Sequence, residues 1–357
     1  MRRSLIITPA GLSCNLSCDY CYNGSRKKEK LAVMENEILE KLISKAFFEN
    51  NTRFVWHGGE PLLAGKSFFE KIISLQRQYS RGRHFVNGIQ TNCTLIDDEW
   101  AEFLVKNDFF ISTSIDGDEK MHNFHRKINN QCGSYKNVMS GVKKLLDYGC
   151  KRVGVVSVIS SNNVEYPEKI FQEVVRVWKT GFEPNPCFET KEMGLRFMPS
   201  LDKQIYFFKK LFDLWWNEDN PELHIRLFKD VIRVLMGLNP TDCTYKIDGC
   251  RHITGIDEKG DVYTCSRFLK EKDAYLGNIL EKDLNKIIYS EKAQKIYDLT
   301  CRLNKECMSC KWLKFCGGGC AYQRWLTGDI ESKYYACEMR KELFSHITEK
   351  IGPLESA

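Results

Sequence analysis

Apolar residues recur through the first two hundred positions in two alternating rhythms. Short unbroken runs, Leu5-Ile6-Ile7, Phe54-Val55-Trp56, Phe85-Val86 to Ile89, Phe109-Phe110-Ile111 with Ile115, and Val153 to Val156 with Val158 and Ile159, predict buried strands. Between them the spacing changes to that of one buried helix face. Ile38, Leu39, Leu42, Ile43, Ala46 and Phe47 form the first such stripe and Phe68, Phe69, Ile72 and Ile73 the second. Trp100, Phe103 and Leu104 form the third, behind a cap at Asp97 or Asp98. Val138, Met139, Val142, Leu145 and Leu146 run from about Ser134 to a stop at Gly149. Ile170, Phe171, Val174 and Val175 are stopped at Gly181. Leu195 to Met198 predicts a sixth strand and Ile205 to Trp216 a sixth helix. Strands that are apolar throughout belong in a parallel sheet covered by helices. Six such units predict an α/β fold, a partial barrel over residues 1–222, with Leu223 to Leu238 as a linking helix within residues 223–240.

The polar residues gather where those strands end, the edge of a parallel barrel at which chemistry is built. A loop with Cys14, Cys18 and Cys21 follows the first strand and His57-Gly58-Gly59-Glu60-Pro61 the second. Gln90-Thr91-Asn92 follows the third, and Ser112 to Gly117 surrounds the end of the fourth. A 4Fe-4S cluster takes four cysteines, so three thiolates on one loop leave an iron with an open site. Zinc prefers paired short knuckles and fits three cysteines in eight residues poorly. Gly58-Gly59 alone reads as a turn. After an apolar strand the pair also lets a ligand's ammonium approach backbone carbonyls, with Glu60 adding negative charge.

A second constellation fills residues 241–357. Cys243, Cys250 and Cys265 precede Cys307, Cys310, Cys316, Cys320 and Cys337, and Ile256 to Tyr263 reads as a hairpin whose second strand delivers Cys265. Eight cysteines make two four-thiolate sites, and on the residues alone zinc ribbons and iron-sulfur centres fit equally.

Composition narrows the class. The chain has 357 residues, a formal charge of +6 and 16 cysteines. The charge is diffuse, and the dense run Arg26-Lys27-Lys28-Glu29-Lys30 is interrupted by acid, so no nucleic-acid partner is expected. No apolar run reaches a membrane span. The apolar segment before Cys14 is broken by Thr8 and Pro9 and does not make an export signal. Many cysteines without export predict a reducing cytoplasm, with thiols serving metals.

Taken together, the cysteine loop and the Gly-Gly-Glu-Pro segment resemble the signatures of the radical S-adenosylmethionine (SAM) enzymes. The C-terminal spacing, Cys-x9-Gly-x4-Cys, then Cys-x2-Cys-x5-Cys-x3-Cys and a last Cys, resembles their SPASM extension. The resemblance spans nearly the whole chain. It implies a TIM-like partial (β/α)6 barrel with a C-terminal cysteine-rich domain. Three 4Fe-4S clusters are implied: a SAM-binding one on Cys14, Cys18 and Cys21, an auxiliary one on Cys243, Cys250, Cys265 and Cys320, and another on Cys307, Cys310, Cys316 and Cys337. SAM is the implied cofactor, cleaved reductively to a 5'-deoxyadenosyl radical. Its methionine amino group is placed at Gly58, Gly59 and Glu60, its adenine beside Tyr20, and further contacts at Asn92 and Ser114. His122 and Arg126 match a family His-x-x-x-Arg segment but read equally as a surface helix start. Cys93, where relatives commonly have glycine, is a candidate hydrogen-atom donor or simply core. Cys132, Cys150, Cys187 and Cys301 read as small buried apolar residues.

The same resemblance implies a monomer acting on a peptide or protein, with a low-potential electron donor such as flavodoxin or ferredoxin. Two branches compete: maturases of ribosomally made peptides, and anaerobic sulfatase-maturing enzymes, whose motifs Trp56 to Leu63 and Ile89 to Asn92 resemble. The latter carry a general-base aspartate directly after the cysteine matched by Cys265, and this chain has Ser266. The expected reaction is therefore cross-linking of a peptide, as cyclophane or thioether. The alternatives are formylglycine formation, epimerisation and, remotely, a plain iron-sulfur electron carrier. With strand one starting near Met1, any leader peptide is expected to dock on the barrel or SPASM surface.

Overall fold

The computed structural model describes residues 3–24, 30–48, 51–129, 131–177, 181–188 and 194–352, so the side chain of Val175 and the run from Arg26 to Glu29 lie outside the described residues. In chain order the strands are β1 (Arg3–Ile7), β2 (Asn51–Trp56), β3 (His84–Thr91), β4 (Phe110–Ser114), β5 (Lys127–Ile128), β6 (Cys132–Gly133), β7 (Val153–Ile159), β8 (Gly181–Pro186), β9 (His224–Ile225), β10 (Ile253–Ile256), β11 (Asp261–Tyr263) and β12 (Tyr275–Asn278). β5 and β6 make a small hairpin; the other ten form one sheet in the order β12-β11-β10-β1-β2-β3-β4-β7-β8-β9. From β1 to β9 every neighbouring pair is parallel.

The helices that return the chain between these strands are α1 (Asn36–Ala46), α2 (Lys66–Ser80), α3 (Asp98–Lys106), α4 (Glu119–His125), α5 (Tyr135–Asp147), α6 (Pro167–Val177) and α7 (Leu201–Glu218). Their starts are chemically marked: Asp97 accepts a hydrogen bond from Trp100 N at 2.8 Å, and Asp118 accepts one from Met121 N at 2.9 Å. The core lies between helices and sheet. Ile7, Trp56, Ile89, Ile111 and Val153 stand in register across five strands, all buried. Alternate residues face the other way, and on β7 these are Gly154, Val156 and Val158, which line the barrel's interior cavity.

The sixth strand is not where the apolar pattern puts it. Leu195–Met198 is a turn with Leu195 exposed, and the strand is β8, reading Gly-Phe-Glu-Pro-Asn-Pro. Gly181 therefore opens a strand. Proline has no N–H for a ladder, yet Pro184 and Pro186 lie beyond the short β9, which pairs only with Gly181 and Phe182. The predicted linking helix likewise begins as β9 and becomes α8 (Arg226–Leu235) only afterwards.

The cysteine-rich part is continuous with the barrel. β10 pairs in parallel with β1, setting Ile7 opposite Ile256, and β11 and β12 extend the sheet antiparallel. The C-terminal helix Cys337–Ile351 returns to α7, where Glu342 binds Lys209 at 2.8 Å and His346 binds Asp213 at 2.9 Å. Among the described residues no helix is long and apolar enough to cross a membrane.

Candidate active site

The cysteine loop leaves β1 and is clamped from one side by the loop after β2. Gly59 N donates to Gly11 O at 3.2 Å and Glu60 N to Ser13 O at 2.8 Å. The contact is so close that only glycine fits. A Cβ on Gly59 would stand 2.0 Å from Ser13 O, and one on Gly58, whose φ is +115°, 2.3 Å from Gly11 O. On the other side Ser17 N donates to Lys127 O at 2.7 Å and Asp19 N to His125 O at 3.2 Å. The loop is thus held by two independent segments, and Gly58 and Gly59 line the cavity beside Cys14, Cys18 and Cys21.

Two of the predicted SAM contacts, Glu60 and Asn92, are bonded within the protein. Glu60 is fully buried and is not among the cavity-lining residues. Its carboxylate accepts from Thr91 Oγ1 at 2.8 Å, Asn92 N at 2.8 Å and Leu62 N at 3.1 Å. It therefore ties the glycine loop to the end of β3. Burial raises its pKa to about 7 against the lowering effect of these donors. The Asn92 side chain donates to Asn15 Oδ1 at 2.8 Å and to Cys14 Sγ at 3.8 Å, and accepts from Thr94 Oγ1 at 2.7 Å. It positions the first cysteine and does not line the cavity. Ser114 does line it, accepting from Gln90 Nε2 at 3.2 Å.

Tyr20 also lines the cavity, buried against Leu16, Cys18 and Cys187. Its hydroxyl donates to Asp116, a residue the sequence reading did not single out. Asp116 is 1% exposed, receives Arg126 Nε at 2.9 Å and Nη2 at 3.3 Å, and accepts from Val158 N at 2.9 Å. Burial alone would raise this carboxyl, but Arg126 and then His122 hold it below the usual carboxylate range. Arg126 lines the cavity with its guanidinium 5.4 Å from the Tyr20 ring. The surface-helix reading of His122 and Arg126 is therefore overturned: His122, His125 and Arg126 are all buried. His122 bonds Ser134 Oγ at 3.0 Å, and burial lowers its pKa to about 4. The signal was the Asp116 to Arg126 spacing, which became a pair only once α4 folded back on the strand end.

Cys93 is core. It has no exposure, does not line the cavity, and sits at φ +58°. Burial pushes its thiol up to about 12. This positive φ is the conformation glycine adopts freely, which is the physical reason glycine suits the position. A donor enclosed there cannot reach a substrate. Cys187, at the end of β8, does line the cavity, whereas Cys132, read as buried, is exposed.

Facing the cysteine loop across a cavity of about 980 Å³ stand Cys243, Cys250, Cys265 and Cys320. Burial raises the thiols of Cys243, Cys250 and Cys265, and each also feels the negative charge of others in this set. Cys307 in the same way feels Cys316 and Cys310, and Cys337 feels Cys316. Cys243, Cys250, Cys265 and Cys320 are thus neighbours, as are Cys307, Cys310, Cys316 and Cys337. Gly317, Gly318 and Gly319 between them all have positive φ, and their Cβ atoms would lie 2.4 Å from Tyr245 C, 2.3 Å from Leu303 Cδ2 and 2.3 Å from Tyr334 Cγ. Arg267 and Arg340 donate toward Cys320 Sγ at 3.8 Å and Cys316 Sγ at 3.7 Å. Among the described residues no three His, Cys, Asp or Glu side chains converge as a single ion's shell requires. All-thiol sets, half-buried and backed by guanidinium donors, fit iron-sulfur ligation.

Comparison with known proteins agrees with this geometry. Residues 9–174 match the model of the radical SAM superfamily, and residues 249–311 that of SPASM, an iron-sulfur cluster-binding domain. The cysteine-type anaerobic sulfatase-maturating enzyme of Clostridium perfringens is 31% identical over 96% of this chain and 95% of its own. The serine-type enzyme of Bacteroides thetaiotaomicron is 32% identical over 96% and 89%. The solved structure of native anSMEcpe with bound AdoMet aligns with a TM-score of 0.87 at 28% identity, covering 98% of both chains. Streptococcus suis SuiB bound to precursor peptide SuiA has a TM-score of 0.69 at 19% identity, over 94% of this chain and 75% of SuiB, a likeness of fold alone. This chain belongs to the radical SAM superfamily and carries a SPASM domain.

Proposed function

We propose that this protein modifies a ribosomally made peptide, abstracting a hydrogen atom from one residue to form a cross-link. Three 4Fe-4S clusters are held by Cys14, Cys18 and Cys21, by Cys243, Cys250, Cys265 and Cys320, and by Cys307, Cys310, Cys316 and Cys337. When bound, the first cluster and SAM supply a 5'-deoxyadenosyl radical. The chain's own residues then have separable tasks. The carbonyls of Gly58 and Gly59 would receive the SAM ammonium, Ser114 would hold one of its polar groups, and Tyr20 would pack beside the adenine. Glu60, Asn92 and Asp116 keep those groups in place. A flavodoxin or ferredoxin supplies electrons, and the protein works as a monomer.

The observation that carries the choice of reaction is Ser266. It lines the cavity directly after Cys265, with Arg267 next to it. Formylglycine formation removes a thiol or hydroxyl proton as the carbon radical loses its electron, and a positioned carboxylate accelerates such steps by about a hundredfold to ten-thousandfold. A serine hydroxyl is no base at neutral pH. Glu183 and Asp242 also line this cavity, but both are bound to Arg226, at 3.0 and 3.1 Å. His57 lines it too, with a pKa lowered to about 4 by burial and then Arg267, and its Nδ1 already accepts from Gly58 N at 2.6 Å. None of these groups replaces a free carboxylate.

The full-length likeness to sulfatase-maturating enzymes favours a second reading, formylglycine formation on a sulfatase. The deciding experiment is mass spectrometry after incubation with a sulfatase-motif peptide and, separately, with a precursor peptide encoded beside the gene. Loss of about two daltons within the precursor without a new carbonyl supports cross-linking. Efficient conversion of the sulfatase Cys or Ser to an aldehyde refutes it. Deuterium uptake from solvent without net oxidation points to epimerisation.

A further inference from the structure

Arginines in and around the cavity differ in how fully the protein occupies them. Arg126 is paired with Asp116, and Arg226 with Glu183 and Asp242. Arg324 donates to the carbonyls of Thr300, Arg302 and Ile330, and Arg340 to Thr244 O, Thr244 Oγ1 and Cys316 O. Arg267 stands apart. Its side chain lines the cavity, half-buried, and its recorded hydrogen bond is the long one to Cys320 Sγ. Among the described residues no carboxylate forms an ion pair with it.

A guanidinium is always charged and carries five N–H donors in a rigid fork, so a single contact to sulfur leaves most of them unused. Its surroundings are aromatic: Arg267 lies 5.6 Å from the Phe188 ring, which in turn neighbours Tyr22 at 6.5 Å and Tyr335 at 6.2 Å. Its charge also reaches His57 at the end of β2. Arg267 thus sits where the cysteine loop, the end of β8 and the Cys265 segment meet, beside Ser266. Low-dielectric walls strengthen an ion pair formed there, and a carboxylate matches the fork with two parallel hydrogen bonds.

We propose that Arg267 anchors a carboxylate of the peptide substrate, so that the enzyme selects peptides with an acidic group at or beside the residue it modifies. This rests on the peptide-modifying reading above and adds the substrate's chemistry to it. The carboxylate belongs to an Asp or Glu side chain or to the peptide's C-terminus. The competing role for Arg267 is charge balance for Cys320 and its cluster alone.

The test uses reconstituted holoenzyme with SAM and an equimolar library of synthetic hexapeptides containing Asp, Asn, Lys or only Ala, each with amidated or free C-terminus. Peptides retained by the enzyme are quantified by mass spectrometry. Wild type should retain Asp over Asn, or free over amidated ends, by about tenfold or more, and which of the two occurs identifies the source. Arg267→Lys should keep the preference in weakened form, Arg267→Gln abolish it, and Arg267→Glu turn it toward Lys. Iron content and 5'-deoxyadenosine release are measured on each variant, because Arg267 also touches a cluster cysteine. An unchanged preference in Arg267→Gln overturns the proposal while leaving peptide binding intact. Retention of no peptide by wild type overturns the proposal as well, while the peptide-modifying reading is judged separately by mass spectrometry with the precursor peptide.

Discussion

Gly59→Ala isolates the contact on which the proposed SAM site is built. The added methyl would stand 2.0 Å from Ser13 O and 2.4 Å from Leu12 O, both backbone atoms, whereas real Cβ contacts are essentially never under 3.0 Å. Relief therefore requires the cysteine loop and the Gly58-Gly59 loop to separate by about 1 Å, which breaks the Glu60 N to Ser13 O bond and misplaces Cys14. Overpacking of this kind costs about 1 to 3 kcal/mol, and when the strain falls on a ligand site about 1.4 kcal/mol is a tenfold loss of affinity. The variant should fold, bind SAM about tenfold to a hundredfold more weakly by titration calorimetry, and hold less iron at the first cluster. Gly181→Ala is the control: the same change on β8, where the nearest atom, His224 O, is 3.8 Å away, should leave both quantities unchanged. Native iron content and undiminished SAM affinity in Gly59→Ala would show that the clamp does not shape the site.

Three further outcomes follow from the same geometry. Asp116→Asn leaves the buried Arg126 guanidinium without its counter-charge and should lower urea stability by about 3 to 5 kcal/mol, whereas Asp116→Asn combined with Arg126→Met should recover part of that loss. Because the folded pKa of Glu60 is raised, to about 7, its protonation contributes stability that is fully present below the unfolded value of 4.5 and lost as pH rises through 7. Urea titrations from pH 5 to 8 should therefore show a decline of up to about 3 kcal/mol that Glu60→Gln removes, and an equal slope in both proteins would contradict the burial argument. Replacing Cys14, Cys18 and Cys21 together by alanine should remove about a third of roughly twelve irons and all SAM cleavage, while stoichiometric zinc would rule the cluster assignment out.

Much of this architecture is local and so was readable in sequence. Five of the six barrel strands and the capping of α3 at Asp97 follow from period and turn chemistry, whereas the grouping of the eight C-terminal cysteines into two sets is what the SPASM resemblance implies. What sequence missed depends on contacts between distant segments. β8 was hidden because Pro184 and Pro186 are poor strand residues, acceptable only past the end of a two-residue neighbour. The pairing of β10 with β1 joins residues about 250 apart, and no local pattern announces it. Glu60 carries the right charge for an ammonium, and its bonds from Leu62 N, Thr91 Oγ1 and Asn92 N, which join two strand ends, are not visible in sequence. Cys93 looked chemical because it is a thiol at a strand end; its side chain turns into the core. Cys187, overlooked as filler, faces the cavity.

The central claim is that a peptide residue enters the cavity between the cysteine loop and Cys265 and gives up a hydrogen atom there. Its most direct test is to supply the precursor peptide encoded beside the gene in fully deuterated form, with SAM and reductant, and to weigh the 5'-deoxyadenosine released. The account predicts 5'-deoxyadenosine carrying one deuterium in step with a change of mass in the peptide. Release of unlabelled 5'-deoxyadenosine, with the peptide's mass unaltered, would contradict it.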